Sequence, residues 1–259
     1  MNDRILNVAF ADSDPGVLIA TIERPPVNAL SLALFREIRD LFTSIEDRYP
    51  DARCVVLTAS GKMFSAGADV KELAERTTET QMARSVVSRG CFDAIRRCPI
   101  PVIAAINGPA IGAGVVVASC CDIILAAETA TFSLPEILVG VMGGTRHMAR
   151  LVPDKVVRYM ALTGRKIDAR YLERFGGIHE VTKPEELLPK ALELAGDIGK
   201  NSPSAVRLMK EAINLTEDMP LTEGYRIEQL FTTLASSMPD SKEAALAFLE
   251  KRKPVWSKT

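Results

Sequence analysis

The sequence predicts an α/β core over residues 1–197 and a helical region over residues 198–259. Three observations carry that prediction. Short runs of strand length, several rich in valine or isoleucine, recur through the first half of the chain. Segments with apolar residues at helical spacing lie between the later runs. Beyond Asp197 helix signals continue while strand signals nearly stop.

In chain order, Ile5–Phe10 and Val17–Ile22 are the first two strands. The turn-forming Asp12-Ser-Asp-Pro-Gly16 between them predicts a hairpin. Leu34, Ile38, Leu41, Phe42 and Ile45 then repeat at helical spacing behind Ser31, a candidate N-cap. Cys54–Thr58, Val102–Ile106 and Ile123–Ala127 are further strands. Thr182 with Glu185 has the form of a capping box, and behind it Leu188, Leu192, Ala195 and Ile198 share one helical face. Ser202-Pro203, Pro220 and Pro239-Asp240 mark three tail helices. Strands and helices at shifting intervals suggest repeated strand–strand–helix turns rather than a strict doubly wound order.

The 259 residues carry 32 Lys and Arg against 33 Asp and Glu, for a net charge of −1. That balance argues against nucleic acid or an anionic membrane as the main partner, since both need clustered positive charge. A chain this long buries enough surface to need neither a metal nor a disulfide to hold it. The five cysteines (Cys54, Cys91, Cys98, Cys120, Cys121) are odd in number and contain no C-x-x-C spacing, so no zinc site or redox motif is expected. The chain reads as cytoplasmic and reduced. Its first ten residues lack a basic region followed by a long apolar one, the mark of a signal peptide. The longest apolar stretch, Ala110–Cys121, is too short to span a bilayer.

Several familiar motifs fail on inspection. Gly108 to Gly114 has the context of a dinucleotide fingerprint, but Val117 stands where its last glycine belongs. Gly61-Lys62 is followed by Met63, not the Ser or Thr of a phosphate loop. No G-x-S-x-G elbow is present. The two histidines, His147 and His179, stand in no metal-binding spacing and read as structural or surface residues.

Three segments remain, each with two readings. Met63-Phe-Ser-Ala-Gly-Ala-Asp-Val70 is either an ordinary strand-to-helix loop or a place where small residues let main chain approach a ligand. Asn107-Gly-Pro-Ala-Ile-Gly-Ala-Gly114 is either a tight turn or a helix start whose free N–H groups stabilise an oxyanion. Ser133-Leu-Pro-Glu136 fits a capping box. It also places a carboxyl among Leu134, Ile137, Leu138 and Val139, where an apolar setting would raise its pKa and suit it to proton transfer.

Together these segments resemble the crotonase family, the enoyl-CoA hydratases and isomerases. Arg24-Pro-Pro-Val-Asn-Ala-Leu30 resembles the family's RPxxNAL segment, and Phe64-Ser-Ala-Gly-Ala-Asp69 its F-x-A-G-A-D loop. Pro101 to Gly108 with Gly112 and Gly114, then Cys121-Asp122-Ile123 and Pro135-Glu136, follow in its order. Leu221-Thr-Glu-Gly224 and Phe248 to Pro254 resemble its C-terminal helices. The resemblance implies a crotonase-like spiral of ββα repeats with a helical C-terminal region that builds homotrimers or dimers of trimers. It implies an acyl-CoA thioester as substrate, with no cofactor beyond the coenzyme A of that substrate. By position, the N–H groups of Ala68 and Ala113 would hold a thioester enolate and Glu136 would be the acid/base. Arg24, Val27, Lys62, Ala66, Asp69, Val70, Gly112, Val116 and Lys251 match positions that meet the acyl-CoA, with Lys62 and Lys251 near its phosphates. No metal is implied.

The pattern departs from a hydratase in one residue that matters. Hydratases of this family carry a second glutamate in the helix after the glycine-rich turn, and here that position is Val116. Valine can neither accept nor donate a proton. Hydration needs a water that is held and deprotonated, whereas a single base can shift a double bond through the same enolate. The expectation is therefore double-bond isomerisation ahead of fast hydration. The alternatives are a hydrolase or lyase on a specialised aromatic or alicyclic CoA thioester, and a non-catalytic acyl-CoA-binding scaffold. A second departure is the short Gly140-Val-Met-Gly-Gly-Thr145, in a segment that borders the acyl pocket in the family.

Overall fold

The computed structural model describes residues 5–74 and 77–257. Its strands are β1 (Leu6–Ala11), β2 (Asp14–Ile22), β3 (Cys54–Ala59), β4 (Val102–Ile106), β5 (Ala110–Ile111), β6 (Ile123–Ala127), β7 (Thr131–Ser133), β8 (Ile167–Asp168) and β9 (Glu180–Thr182). Six of them form the main sheet in the order β1-β2-β3-β4-β6-β9, and β5-β7-β8 form a small one. Every expected strand run is present. The first hairpin is tighter than Asp12–Gly16 implied, because β2 begins at Asp14 and a register shift at Phe10/Ala11 absorbs the difference.

Apart from β1, the main-sheet pairs are parallel. After each central strand the chain crosses to the second layer before entering a helix. β4 is followed by β5, and β6 by β7, which pair in parallel. Single parallel bridges, Leu30 to Ala68 and Ser65 to Ala110, extend that layer to the turns after β2 and β3. This is the spiral of strand–strand–helix turns that the sequence suggested.

The helices are α1 (Leu32–Thr43), α2 (Ile45–Arg48), α3 (Val70–Ala74), α4 (Thr78–Arg96), α5 (Ala113–Cys120), α6 (Thr145–Met148), α7 (Asp154–Thr163), α8 (Ala169–Glu173), α9 (Pro184–Gly199), α10 (Pro203–Thr216), α11 (Leu221–Ser237) and α12 (Pro239–Leu249). Among the described residues, no helix is long and apolar enough to cross a membrane. The central strands β3, β4 and β6 read as continuous apolar runs because both their faces are covered. Leu18, Val55, Leu57 and Ala104 face the large core containing α1, α4 and α5. Val17, Val56, Ile103 and Leu125 face α9 through Leu187, Ala191 and Ala195.

Ser31 caps α1 by accepting the Leu34 N–H at 3.2 Å. The expected capping box at Thr182 is not formed. Thr182 pairs in β9, and Pro184, whose fixed φ suits a first helical position, starts α9 one residue later with Lys183 at the cap. The buried face of α9 is shifted accordingly to Leu187, Ala191 and Ala195, with Leu188 exposed. The expected boundary at 197 falls in the last turn of α9. The tail is tied to the core by buried Lys210 of α10, which donates to Ile100 O at 3.0 Å and to Asp122 at 2.7 Å.

Candidate functional site

Two loops of small residues leave β3 and β4 side by side. The N–H groups of Phe64 and Ser65 donate to Pro109 O at 3.1 and 3.2 Å, and the Ile111 N–H donates to Ser65 O at 2.9 Å. Side chains would not fit between them. A Cβ on Gly67 would lie 2.6 Å from Ile111 O, one on Gly108 2.2 Å from Lys62 O, and one on Gly114 2.8 Å from Ser65 Cβ. Close packing therefore explains the glycines, and the same packing brings main chain to a surface.

Gly112 caps α5 at φ 52° and ψ −115°, a conformation that residues with a Cβ rarely adopt. As the first residue of α5, Ala113 has an N–H outside the helix's own ladder. Ala68 follows Gly67, and a Cβ on Gly67 would be 3.5 Å from Ala113 N. Ala68, Ala113, Val116 and Glu136 all line one cleft of about 530 Å³. Among the described residues, neither the Ala68 nor the Ala113 N–H has a hydrogen-bond partner.

The capping box expected at Ser133 is not formed either. Ser133 belongs to β7, where it pairs with Ile111 and accepts the Gly112 N–H through its carbonyl at 2.9 Å. Glu136 lies instead in a short 3-10 turn, Pro135–Val139, with no side-chain cap. Ile137, Leu138 and Val139 are turned to solvent, so of the four expected apolar neighbours only Leu134 is buried. The surroundings of Glu136 come from elsewhere in the chain. Its Oε1 would be 2.5 Å from a Cβ on Gly112, and its Cγ 3.9 Å from one on Gly143. Its Oε2 is buried and has no hydrogen-bond partner among the described residues. Burial raises the pKa of this carboxyl above its ordinary value, and its own main-chain N–H offsets part of that rise. Such a group holds or releases a proton nearer neutral pH than an exposed glutamate does. Val116, buried beside Gly144, adds apolar wall and no second proton carrier.

The other expected residues divide into two sets. Arg24 and Asp69 engage each other at 2.6 Å, and Arg24 also donates to Ala29 O at 2.8 Å. Burial works against the Asp69 charge, but the hydrogen bonds from Arg24 and the Lys71 N–H outweigh it and hold the carboxyl below its usual range. The pair clamps the 24–30 segment to the 64–69 loop, as does the Ala66 N–H, which donates to Val27 O at 2.9 Å. Lys62, just before that loop, and Val70, at the start of α3, are exposed. Lys251 is exposed after α12 and does not line the cleft.

Sequence reasoning gave no role to Asn28. It is 2% exposed, at φ 52°, and its amide donates to Ser60 O and Met63 O, each at 2.8 Å. It fastens the 24–30 segment to the exit of β3; asparagine's tolerance of positive φ was the available signal. The cleft is also lined by Gln81, Arg84, Ser85 and Ser88 of α4, to which sequence reasoning gave no role. His147 is half-buried, with Nδ1 3.5 Å from Cys120 Sγ, and His179 is exposed. A cleft of about 460 Å³ at Asp122 and His179, and one of about 950 Å³ at Arg53 and Trp256, contain none of the expected site residues.

A carboxylate facing unpaired main-chain N–H groups, on stacked strand–strand–helix turns, defines an enzyme-like site for a substrate that develops negative charge on oxygen. Comparison with known proteins gives the family. The profile described as enoyl-CoA hydratase/isomerase matches residues 12–259. A Mycobacterium tuberculosis protein named (7aS)-7a-methyl-1,5-dioxo-2,3,5,6,7,7a-hexahydro-1H-indene-carboxyl-CoA hydrolase is 37% identical, over 92% of this chain and 96% of its own. A probable enoyl-CoA hydratase of Mycobacterium bovis is 37% identical, over 96% of this chain and 97% of its own. The crystal structure of an enoyl-CoA hydratase from Bacillus anthracis superposes with a TM-score of 0.93 at 34% identity, covering 99% of this chain and 100% of that one. The chain belongs to the enoyl-CoA hydratase/isomerase family, the crotonases, whose enzymes act on acyl-CoA thioesters.

Proposed function

We propose that this enzyme forms an enolate of an acyl-CoA thioester and moves a proton with a single carboxylate, Glu136. The observation that supports this most is the buried, unpartnered Oε2 of Glu136 in the same cleft as the free N–H groups of Ala68 and Ala113. The thioester oxygen takes its two hydrogen bonds from those N–H groups. Donors fixed in place before the reaction stabilise the enolate by several kcal/mol, on the order of 3 kcal/mol for each donor. Glu136 removes a proton from C2 and returns it at C4, so the double bond moves and no atom is gained or lost. Addition of water is slow, because Val116 cannot orient or deprotonate the water.

Arg24, Val27, Ala66, Asp69 and Val70 form the approach for the coenzyme A portion, with Lys62 near its phosphates. Lys251 takes part only from a second copy of the chain, since it does not line the cleft of its own. The exposed apolar side chains of the tail, including Leu221, Leu230, Leu246 and Phe248, fit a homotrimer or a dimer of trimers. The reading places the enzyme in the cytoplasm with no cofactor other than the substrate's coenzyme A.

A second reading is hydrolysis of an alicyclic CoA thioester. It is favoured by Val116 and by the relative named as a hydrolase of a bicyclic carboxyl-CoA. The experiment is mass spectrometry of a trans-2-enoyl-CoA incubated with the protein in heavy water. Deuterium entering the acyl chain without added water, and lost in Glu136→Gln, is the result expected. A product heavier by one water at a hydratase-like rate overturns the isomerase reading. Binding without either change points to the alicyclic hydrolase or to a non-catalytic scaffold.

A further inference from the structure

The half of α4 that borders the cleft is patterned against the usual rule. A helix on a protein surface turns apolar residues inward and polar ones to water. Here exposed Gln81 and Ser85 and half-buried Ser88, at successive helical turns, line the cleft. Met82 and Val86 are left to solvent, 68% and 59% exposed. The same cleft is lined by Ala68, Ala113 and Glu136, and by none of Arg24, Val27, Lys62 or Lys251. It therefore holds the acyl part of the substrate, and one wall of the acyl compartment is polar.

The hydrogen-bond accounts of these side chains specify the complement. The Ser85 hydroxyl donates to Gln81 O at 2.9 Å, and the Ser88 hydroxyl to Ser85 O at 3.3 Å. Each keeps lone pairs that accept from a ligand, and each hydroxyl can instead rotate to donate. The Gln81 amide has no partner among the described residues, so both its donors and its acceptor remain for use. Among the described residues, Arg84 is the single cation lining the cleft, and its charge is already matched. It is ion-paired with Glu72, donates to Leu30 O at 2.9 Å, and lies 5.6 Å from the Phe35 ring centroid. An anionic acyl group would find no free positive charge among the described residues. A purely hydrocarbon one would meet Phe35, Phe92, Val141 and Met142, but would strip water from Gln81, Ser85 and Ser88 without replacing those hydrogen bonds.

We infer that the acyl group carries a neutral oxygen function, a ketone or hydroxyl, read by Gln81, Ser85 and Ser88 across the cleft from Glu136. A cleft of about 530 Å³ is in the range that takes a ring-sized acyl group. The inference rests on the reading that this cleft binds an acyl-CoA thioester. It does not depend on which reaction follows.

The test is calorimetric binding of three saturated CoA esters: cyclohexanecarbonyl-CoA, its ring-ketone counterpart and its ring-carboxylate counterpart. None has a double bond to move, so binding is scored apart from Glu136 chemistry. The ketone ester should bind the wild type about tenfold more tightly than the hydrocarbon ester. In a Gln81→Leu/Ser88→Ala variant that gap should close to about twofold, with hydrocarbon-ester affinity kept. Because Gln81 is exposed, thermal melting should show the variant folded. Equal binding of ketone and hydrocarbon by the wild type overturns the inference, as does a gap that survives the substitutions or tightest binding of the carboxylate. Preferential ketone binding beside an enolate reaction unaffected by Glu136→Gln would refute the proposed function and leave this inference standing.

Discussion

Replacing Gly112 by alanine should disable Glu136 without touching it. The new Cβ would lie 2.5 Å from Glu136 Oε1 and 3.4 Å from its Cδ. Ordinary contact begins near 3.4 Å, so the carboxylate must retreat by about 0.9 Å. A displacement of about 1 Å in a reacting group costs on the order of 100-fold in rate. The backbone contributes separately, because φ is 52° at this residue and a Cβ there costs about 1–2 kcal/mol. For a chain of this size that is a fall in Tm of about 2–8 °C. The assay combines a thermal melt, kcat on whichever ester the wild type turns over, and calorimetric binding of a saturated CoA ester. The expected result is a folded protein with a modestly lower Tm, binding kept within a few-fold, and kcat down about 100-fold. A variant that melts with the wild type and keeps kcat within about twofold would refute the reasoning, because Glu136 would then not depend on the gap that Gly112 leaves.

Three further outcomes follow from the same coordinates. Val116→Glu should raise hydration of a trans-2-enoyl-CoA by about tenfold or more, measured as water added per turnover; no gain would place the limit in the pocket rather than in the missing carboxylate. For Glu136, whose folded pKa is raised, the folded state binds more protons than the unfolded state between the ordinary and the raised value. Wild-type stability should therefore decline as pH rises through that window, and Glu136→Gln should lack the decline in melts between about pH 4 and pH 8. Lys210→Met leaves Asp122 charged and unpaired at the root of the tail, and should cost about 3 kcal/mol or more in denaturant unfolding.

Much of the architecture was legible because it is written locally. Four of the five strand runs are largely buried on both faces, so hydrophobicity and β-branching mark them; the first, at the sheet edge, leaves Ala9 and Phe10 exposed. Ser31 and Ser202 cap their helices because neither is drawn into a strand, and Ser202 accepts the Ala205 N–H while its hydroxyl donates to Asp240. Both expected capping boxes failed for one reason. Ser133 and Thr182 fit the local grammar of a helix start, but each belongs to a strand whose partner is far away in sequence, and the sheet outweighs the cap. The same limit hid the surroundings of Glu136. The three residues after it face water, while the groups packed against it come from the turn before α5 and from the 143–144 loop. The polar wall of α4 was invisible for the opposite reason: Gln81, Ser85 and Ser88 are unremarkable until the tertiary structure sets α4 beside the cleft that holds Glu136.

The two unpaired N–H groups belong to Ala68 and Ala113, and neither is a property of its side chain. Any residue except proline supplies the same donor, so a single substitution at either position changes the local space but does not delete the hydrogen bond. The distance between the donors is set by two adjacent turns of the spiral and by glycine contacts too close to admit a Cβ. Glu136 and position 116 are different in kind, since each is one codon away from another chemistry. The scaffold thus separates a fixed part, carried by main chain, from an exchangeable part, carried by side chains. A designer seeking a new reaction from this protein would leave the loops alone and vary residues 116, 136 and the inner face of α4.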